Sequence, residues 1–230
     1  MLTPDQLRSR LDLDFRVLHD MSSPLFTATA FRSAADLRQR RTPVLHATDG
    51  RDATHYLVTF HVPTLIGPGR FSATTTIGLD LTVRGYPFVE PLTWLESDPV
   101  PFSPHFKRGA PVCIGEAWQQ AGGRMLLGQL VIHVCRMLNW DEIARGGGYV
   151  GWNPDAIAYH HEHYGDRPLT EGLAYPTLPA HLTHGVEPRH GPGFALLDAD
   201  ADADAVTNST NGDREFPGPS NPFRILRATR

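Results

Sequence analysis

The sequence predicts an α+β domain followed by an unstructured tail, on three observations. A helical apolar pattern opens the chain, alternation of β-branched and aromatic residues begins at residue 55, and a second helical pattern begins near residue 124. With 230 residues and 40% hydrophobic content, the chain can bury one sizeable core. We therefore expect one domain over residues 1–168 and a mostly disordered tail, rich in Pro, Gly and Asp, over residues 169–230.

The first predicted helix begins near Thr3. Thr3 is a candidate N-cap, Pro4 suits the first helical position and Gln6 completes a capping box. The apolar stripe of this helix consists of Leu7, Leu11, Phe15 and Leu18. Between residues 21 and 54, LFTATAF could be a strand, and RSAADLRQRRTP could be either a helical turn or an exposed loop.

Strands are predicted next. HYLVTFHV is rich in β-branched and aromatic residues, and GLDLTV alternates Leu79 and Leu81 with polar residues. The glycines and proline at residues 67–69 predict a hairpin connection between these strands. LTWLES adds another short strand, so an antiparallel meander is expected before the loop that holds Cys113.

Two further helices are predicted after this loop. RMLLGQLVIHVCRML has apolar residues at helical spacing on a wide face, which predicts a buried central helix. In NPDAIAYHHEHYG, Asn153 is a candidate N-cap, Pro154 suits the first position and Gly165 a C-cap. After Pro168 the periodicity disappears, and the alternating Asp-Ala run lacks the glycine and glutamate of a calcium loop.

Composition argues against several classes of partner. The formal net charge is −4 and no basic run is interleaved with aromatic residues, so no nucleic acid partner is expected. The sequence contains neither a secretory signal nor an apolar stretch long enough for a bilayer, which predicts a cytoplasmic protein without a membrane partner. No metal site is expected either, because in HHEH only His160 and His163 share a helical face.

The two cysteines stand in opposite contexts. Cys135 shares a helical stripe with leucines and valines, which predicts a small apolar core residue. Cys113 follows a loop containing proline and glycine and precedes Gly115, where solvent can reach a sulfur atom. A thiol with an ordinary pKa of about 8.5 is a few per cent ionised near neutrality, and this fraction is strongly nucleophilic. Cys113 is therefore the predicted reactive cysteine.

Over residues 3–165 the sequence resembles the ubiquitin-conjugating enzymes. The initial helix, a four-stranded meander, YPFVEP, Pro104-His105 and the VCIG that holds Cys113 follow the order of this family, in which Tyr-Pro-x-x-x-Pro precedes His-Pro-Asn and the catalytic cysteine. Trp118, the central helix and the NPDA of the next helix continue the resemblance. It implies the ubiquitin-conjugating-enzyme-like fold, with an active-site loop before the central helix and a C-terminal helix, and a catalytic Cys113.

One departure lies eight positions before Cys113, where the family has asparagine and this sequence has His105. The family's asparagine is thought to order the active-site loop or to stabilise the oxyanion. An imidazole can donate to an oxyanion or accept the nucleophile's proton. It can also hydrogen-bond a backbone carbonyl and order the turn, and both roles stay open for His105. Prokaryotic branches of the family often look like this.

The resemblance also implies further site residues. In the family an acidic residue after the central helix often assists the incoming amine, and Asp141 or Glu142 stands at the corresponding place. Its ligase or activating-enzyme surface involves the first helix and the loops around Pro87 and Trp118. The candidate catalytic residues are therefore Cys113, His105 and Asp141, and the candidate binding residues are Pro87, Pro104 and Trp118.

The implied activity is a transferase. An activating enzyme would pass the C-terminal glycine of a ubiquitin-like protein to Cys113, and an amine of a target protein would then take it, with or without a ligase. No cofactor is expected, because the activating enzyme consumes the ATP. In a bacterium, an operon with an activating enzyme, a ubiquitin-like protein and a deconjugating peptidase would fit, in antiviral defence.

Two alternatives remain at this stage. The first is a non-catalytic binding or scaffold module of the same fold, which holds a ubiquitin-like protein. The second is a cysteine hydrolase that pairs Cys113 with His105, His133 or His163, and this pairing requires a short approach between sulfur and imidazole.

Overall fold

The computed structural model describes residues 2–21, 23–115, 117–141, 152–165 and 167–183. The helices are α1 (Pro4–Asp20), α2 (Ala34–Gln39), α3 (Ala117–Ala121), α4 (Leu127–Leu138), α5 (Pro154–Tyr164) and α6 (Ala180–Thr183). The strands are β1 (Phe26–Phe31), β2 (His55–Phe60), β3 (Thr64–Gly67), β4 (Arg70–Ser72), β5 (Thr75–Asp80) and β6 (Leu92–Leu95), and a 3₁₀ helix covers Ala47–Asp52. The predicted mixed α+β class is confirmed.

Four strands form one antiparallel sheet in the order β1, β2, β5, β6. The hairpin of β3 and β4 is a separate two-stranded sheet that lies between β2 and β5 in the chain. It turns at Gly69, whose φ of 66° lies in the left-handed region that favours glycine. The predicted antiparallel sheet is present. The predicted turn at residues 67–69 joins β3 to β4 in an additional hairpin between β2 and β5, and it does not join β2 directly to β5.

Strand β5 ends earlier than the alternating pattern suggests. The Asp80 carboxylate accepts a hydrogen bond of 2.7 Å from the Thr82 N–H and another of 2.6 Å from the Thr82 hydroxyl. This side-chain turn competes with the strand ladder for the backbone donor. Leu79 and Leu81 nevertheless lie in the core, as the alternation predicts.

Helix α1 begins with the predicted capping box. The Thr3 hydroxyl accepts from the Gln6 N–H at 3.3 Å, and the Gln6 side chain accepts from the Thr3 N–H at 2.8 Å. The buried face of α1 consists of Leu11, Asp14, Phe15, Val17 and Leu18. Gly128 of α4 faces this helix, and a Cβ atom there would lie 2.5 Å from a methyl carbon of Val17. Only glycine therefore allows α1 and α4 to pack this closely.

Helix α4 is the predicted central helix. Its buried residues are Leu127, Gly128, Leu130, Val131, Val134, Cys135, Met137 and Leu138. Helix α5 has the predicted caps, since Asn153 accepts from the Ala156 N–H at 3.1 Å and Gly165 follows its last turn. None of the helices in the described part of the chain is long and apolar enough to cross a membrane.

Contacts with the core continue past residue 168, where the sequence predicts the tail to begin. The Asn139 side chain accepts from the Thr170 N–H at 2.8 Å and donates to the Thr170 carbonyl at 3.0 Å. Leu173, Tyr175 and Leu178 pack against the core. The sequence analysis missed these contacts because hydrogen bonds between residues 31 positions apart produce no periodic pattern in the sequence. The rest of the predicted tail, residues 184–230, lies outside the described residues.

Candidate functional site

Cys113 lies on a segment attached to the edge strand β6. Pro111 forms an isolated bridge with Trp94, and the Val112 N–H donates to the Thr93 carbonyl at 3.1 Å. Val112 and Ile114 are buried, whereas Cys113 between them is partly exposed. The buried neighbours therefore anchor the backbone on both sides of a partly exposed cysteine.

His105 pairs with Cys113 through the backbone and the imidazole. The Cys113 N–H donates to the His105 carbonyl at 3.0 Å, and the distance from His105 Nδ1 to the Cys113 carbonyl oxygen is 2.9 Å. Because a carbonyl oxygen only accepts, Nδ1 carries a proton in this contact. The ring itself is 2% exposed. This contact is the loop-ordering hydrogen bond that the sequence analysis considered, and a role in proton transfer stays a prediction.

A second imidazole holds the next carbonyl. His133 of α4 has its Nε2 3.0 Å from the carbonyl oxygen of Ile114. Sequence analysis considered His133 only as the partner of a hydrolase cysteine, and it could not place the ring on this carbonyl. Two imidazoles from different elements thus bind two successive carbonyls at the candidate site.

Cys135 differs sharply from Cys113. Both are free thiols, but Cys135 is 1% exposed on the buried face of α4. Burial, with a smaller effect of the Asp141 carboxylate, raises the pKa of Cys135 to about 12. A thiol of this kind is inert near neutrality. The predicted role of Cys135 as a core residue agrees with this position.

Asp141 follows α4, and its described contacts are on the Cys135 side of that helix. Burial, together with a hydrogen bond shared with Asp141, raises the pKa of the Tyr175 hydroxyl. The Asp141 charge also contributes to the raised pKa of the Cys135 thiol. His133 and Cys135 are two residues apart on α4, so their side chains point in nearly opposite directions. His133 contacts the Cys113 segment, and the contacts of Asp141 are therefore on the other side of the helix. The assistance of Asp141 to an amine stays a prediction, and Glu142 lies outside the described residues.

Pro87 and Trp118, two of the candidate binding residues, are both buried. The Trp118 indole N–H donates to the Pro87 carbonyl at 2.9 Å, and the indole stacks on Tyr86 with 5.8 Å between ring centroids. The exposed apolar side chains at this turn are instead Phe88 and Val89, at 53% and 48%. A partner that approaches the turn therefore meets these two residues first.

A buried ion pair supports this turn, and the sequence analysis missed it. Asp14 accepts a hydrogen bond of 2.7 Å from Arg10 and another from the Tyr86 hydroxyl. Its second carboxylate oxygen accepts from the Leu127 N–H at 2.8 Å, at the start of α4. Burial lowers and the Asp14 carboxylate raises the pKa of Arg10, and the net direction is upward. The sequence did offer one sign of this ion pair, since Asp14 is an acidic residue on the apolar face of α1.

Pro104, the third candidate binding residue, is buried next to His105. Its carbonyl oxygen accepts from the Trp152 N–H at 2.9 Å. The Trp152 side chain is 46% exposed, and Lys107 Nζ lies 5.2 Å from its ring centroid. Lys107 on the loop that leads to Cys113 and Trp152, which is bonded to the start of that loop, therefore form an exposed pair of an amine and an aromatic ring.

Two of the three histidines of HHEH, His160 and His163, stack on aromatic rings. His160 stacks on Trp140 with 4.2 Å between centroids, and His163 stacks on Tyr159 at 4.0 Å. Among the residues that the structure describes, no three His, Cys, Asp or Glu side chains are grouped so that they could hold a metal ion.

No protein-family model matches the sequence, and no curated protein matches it significantly.

Proposed function

We propose that the protein is a cysteine-dependent carrier that accepts a ubiquitin-like protein from an activating enzyme and passes it to an amine of a target. The observation that carries the proposal is the setting of Cys113. Its N–H and its carbonyl are both bonded to His105, its buried neighbours anchor the segment, and the residue itself is partly exposed. A carrier needs such a thiol, because two large proteins must approach the sulfur in turn.

The order of elements supports the same proposal. Helix α1, strands β1, β2 and β5, the Tyr86-Pro87 turn, strand β6, the Cys113 segment, α4 and α5 occur in this order along the chain. This is the order of the ubiquitin-conjugating enzymes, which the sequence resembles. We propose the ubiquitin-conjugating-enzyme-like fold for residues 3–165 on this basis.

The proposed reaction has two steps at Cys113. The thiolate attacks the thioester of the activating enzyme, so one carbon–sulfur bond forms, another breaks and the enzyme's thiol leaves. An amine of the target then attacks the new thioester. A carbon–nitrogen bond forms, the carbon–sulfur bond breaks, the thiolate of Cys113 is the leaving group and the amine loses a proton. His105 donates to the Cys113 carbonyl and so holds the backbone of the nucleophile in place during both steps.

Partner recognition is proposed for the exposed side of the Tyr86-Pro87 turn. Phe88 and Val89 are exposed there, and Trp118 beneath them is fully buried and donates to the turn. Paired apolar residues on a rigid turn are suited to a shallow apolar pocket of a partner. We propose that an activating enzyme or a ligase binds at this turn.

Intact mass measured without reductant tests the carrier function. Protein purified from its native host is compared with Cys113→Ala, each with and without dithiothreitol. We expect a small-protein adduct that dithiothreitol removes and that Cys113→Ala lacks. No adduct, in cells that express the partner proteins, would favour the non-catalytic binding module. Turnover of a small thioester or a peptide without any carrier protein would favour the hydrolase.

A further inference from the structure

Lysine is almost absent from this chain. Arginine accounts for 20 of its 21 basic residues, and the one lysine, Lys107, stands six positions before Cys113. A guanidinium stays protonated and does not attack a carbonyl, whereas an amine does so once it loses its proton. The chain therefore has a single side-chain amine, and it lies on the loop of the proposed carrier cysteine.

The loop keeps the Lys107 backbone near His105, which is bonded to Cys113. The Cys113 N–H is bonded to the His105 carbonyl at 3.0 Å, which closes the loop. The Ala110 N–H donates to the Lys107 carbonyl at 3.3 Å, so the chain turns back just after Lys107. Two residues span at most about 7 Å, so the Lys107 backbone stays within that distance of His105, the partner of Cys113. An exposed lysine side chain can fold back over so short a stretch.

Trp152 holds the Lys107 side chain in the structure. The backbone N–H of Trp152 donates to the Pro104 carbonyl at 2.9 Å, so the residue that carries the indole is bonded to the start of the same loop. Lys107 Nζ lies 5.2 Å from the ring centroid, within the range of a cation–π contact. This contact retains the ammonium, which must leave the ring and lose its proton before it can attack.

We propose that Lys107 is a self-acceptor site that competes with the external target, and that Trp152 restrains this competition. The inference rests on the carrier function proposed above. The neutral Lys107 amine attacks the carbonyl carbon of the acyl group on Cys113. The carbon–nitrogen bond forms, the carbon–sulfur bond breaks, and the proton released from Nζ balances the charge of the departing thiolate. The product is a stable amide on the loop, with Cys113 regenerated.

The test uses the full-length chain and a small donor, a thioester of N-acetylglycine with mercaptoethanesulfonate. The donor is removed once intact mass shows the adduct, and the adduct is then followed with and without dithiothreitol. We expect a thiol-sensitive adduct at Cys113 to become a thiol-resistant amide, which peptide mapping locates at Lys107. Cys113→Ser should form the Lys107 amide much more slowly than the wild type. Lys107→Arg should retain the thioester at Cys113.

Variants of the aromatic ring test the restraint. Trp152→Ala should speed the transfer from Cys113 to Lys107 about two- to fivefold, the range of an exposed cation–π contact. Trp152→Phe should lie between this variant and the wild type. A transfer rate in Trp152→Ala equal to or below that of the wild type would overturn the role of Trp152.

A lysine moved by one position is the matched control. Arg108 is exposed and its guanidinium is 2.6 Å from Asp98, so the double variant Lys107→Arg/Arg108→Lys places the amine against a carboxylate instead of an indole. We expect transfer to position 108 to be slower than transfer to Lys107. Equal transfer there, or a thioester that only hydrolyses, would overturn the self-acceptor site and leave the carrier function standing. Failure of Cys113 to accept the acyl group would overturn both.

Discussion

At the scale of single residues, the main chain of Cys113 is held more firmly than its side chain. Its N–H and its carbonyl are both bonded to His105, and the next carbonyl is bonded to His133. Cys113 is therefore a partly exposed residue on a backbone that hydrogen bonds hold in place. This combination suits a nucleophile that exchanges large acyl groups, because the attacking atom is accessible while its position is maintained.

Alkylation should separate the two cysteines. With iodoacetamide at pH 8 we expect the folded protein to gain one adduct, at Cys113, because Cys113 is partly exposed. With a pKa of about 12, only about one Cys135 thiol in ten thousand is ionised at that pH. Intact mass and peptide mapping measure this.

In about 6 M guanidinium chloride the protein unfolds and both thiols are exposed, so two adducts should form. In Cys113→Ser the folded protein should gain none. Equal modification of both cysteines in the folded wild type would contradict the burial of Cys135.

Replacing His105 should loosen the candidate site. His105→Ala leaves the Cys113 carbonyl without its donor, so we expect the free energy of unfolding to fall by about 1–3 kcal/mol. His105→Asn retains a side-chain donor and should recover part of this loss. Urea unfolding followed by circular dichroism measures both variants, and equal stability of His105→Ala and the wild type would contradict the ordering role.

At the scale of elements, one buried carboxylate joins three parts of the chain. Asp14 of α1 binds Arg10 of the same helix, the Tyr86 hydroxyl before the Pro87 turn and the first N–H of α4. The Arg10 guanidinium also donates to the carbonyl oxygens of Gly123 and Met125 in the segment before α4. This charged pair therefore joins α1, the turn and α4 in addition to their apolar packing.

Removing this carboxylate should be costly. Asp14→Ala leaves the Arg10 guanidinium buried without its counter-ion, so we expect a loss of about 3–5 kcal/mol in the free energy of unfolding. Arg8→Ala is the control, since the pair of Arg8 and Asp5 is exposed and should contribute less than about 1 kcal/mol. Chemical denaturation measures both, and similar losses for the two variants would contradict the structural role of Asp14.

At the scale of the whole molecule, the segment after α5 belongs to the packed domain. Asn139 at the end of α4 is fully buried, and its side-chain amide is satisfied by the Thr170 backbone and the Tyr175 hydroxyl. Leu173 and Leu178 add apolar contacts to the core. A domain that ended at residue 168 would leave a buried amide and apolar surface exposed to water.

Two truncations measure this contribution. A chain that stops after Pro168 should unfold with a free energy about 2–4 kcal/mol below that of a chain that stops after Thr183, because it loses three packed side chains and the partners of Asn139. Urea midpoints compare the two chains directly. Leu178→Ala in the full chain is the point-mutation control and should show part of the loss. Equal stability of the two truncations would show that residues 169–183 add nothing.

The sequence by itself determined the features that depend on neighbouring residues. The capping box of α1, the apolar face of α4, the caps of α5 and the antiparallel strands all follow from local hydrogen bonds and from periodicities of 3.6 and 2. The contrast between Cys113 and Cys135 was predictable for the same reason, since one lies on a punctuated loop and the other on an apolar stripe.

Only the tertiary structure decided which distant groups meet. The binding of Cys113 by His105, of Ile114 by His133 and of α4 by Asp14 joins residues that are 8 to 113 positions apart. It also buried Pro87 and Trp118 and exposed Phe88 and Val89 instead. Such contacts depend on how whole elements pack, because a buried polar group binds whichever donor or acceptor the packing brings within reach.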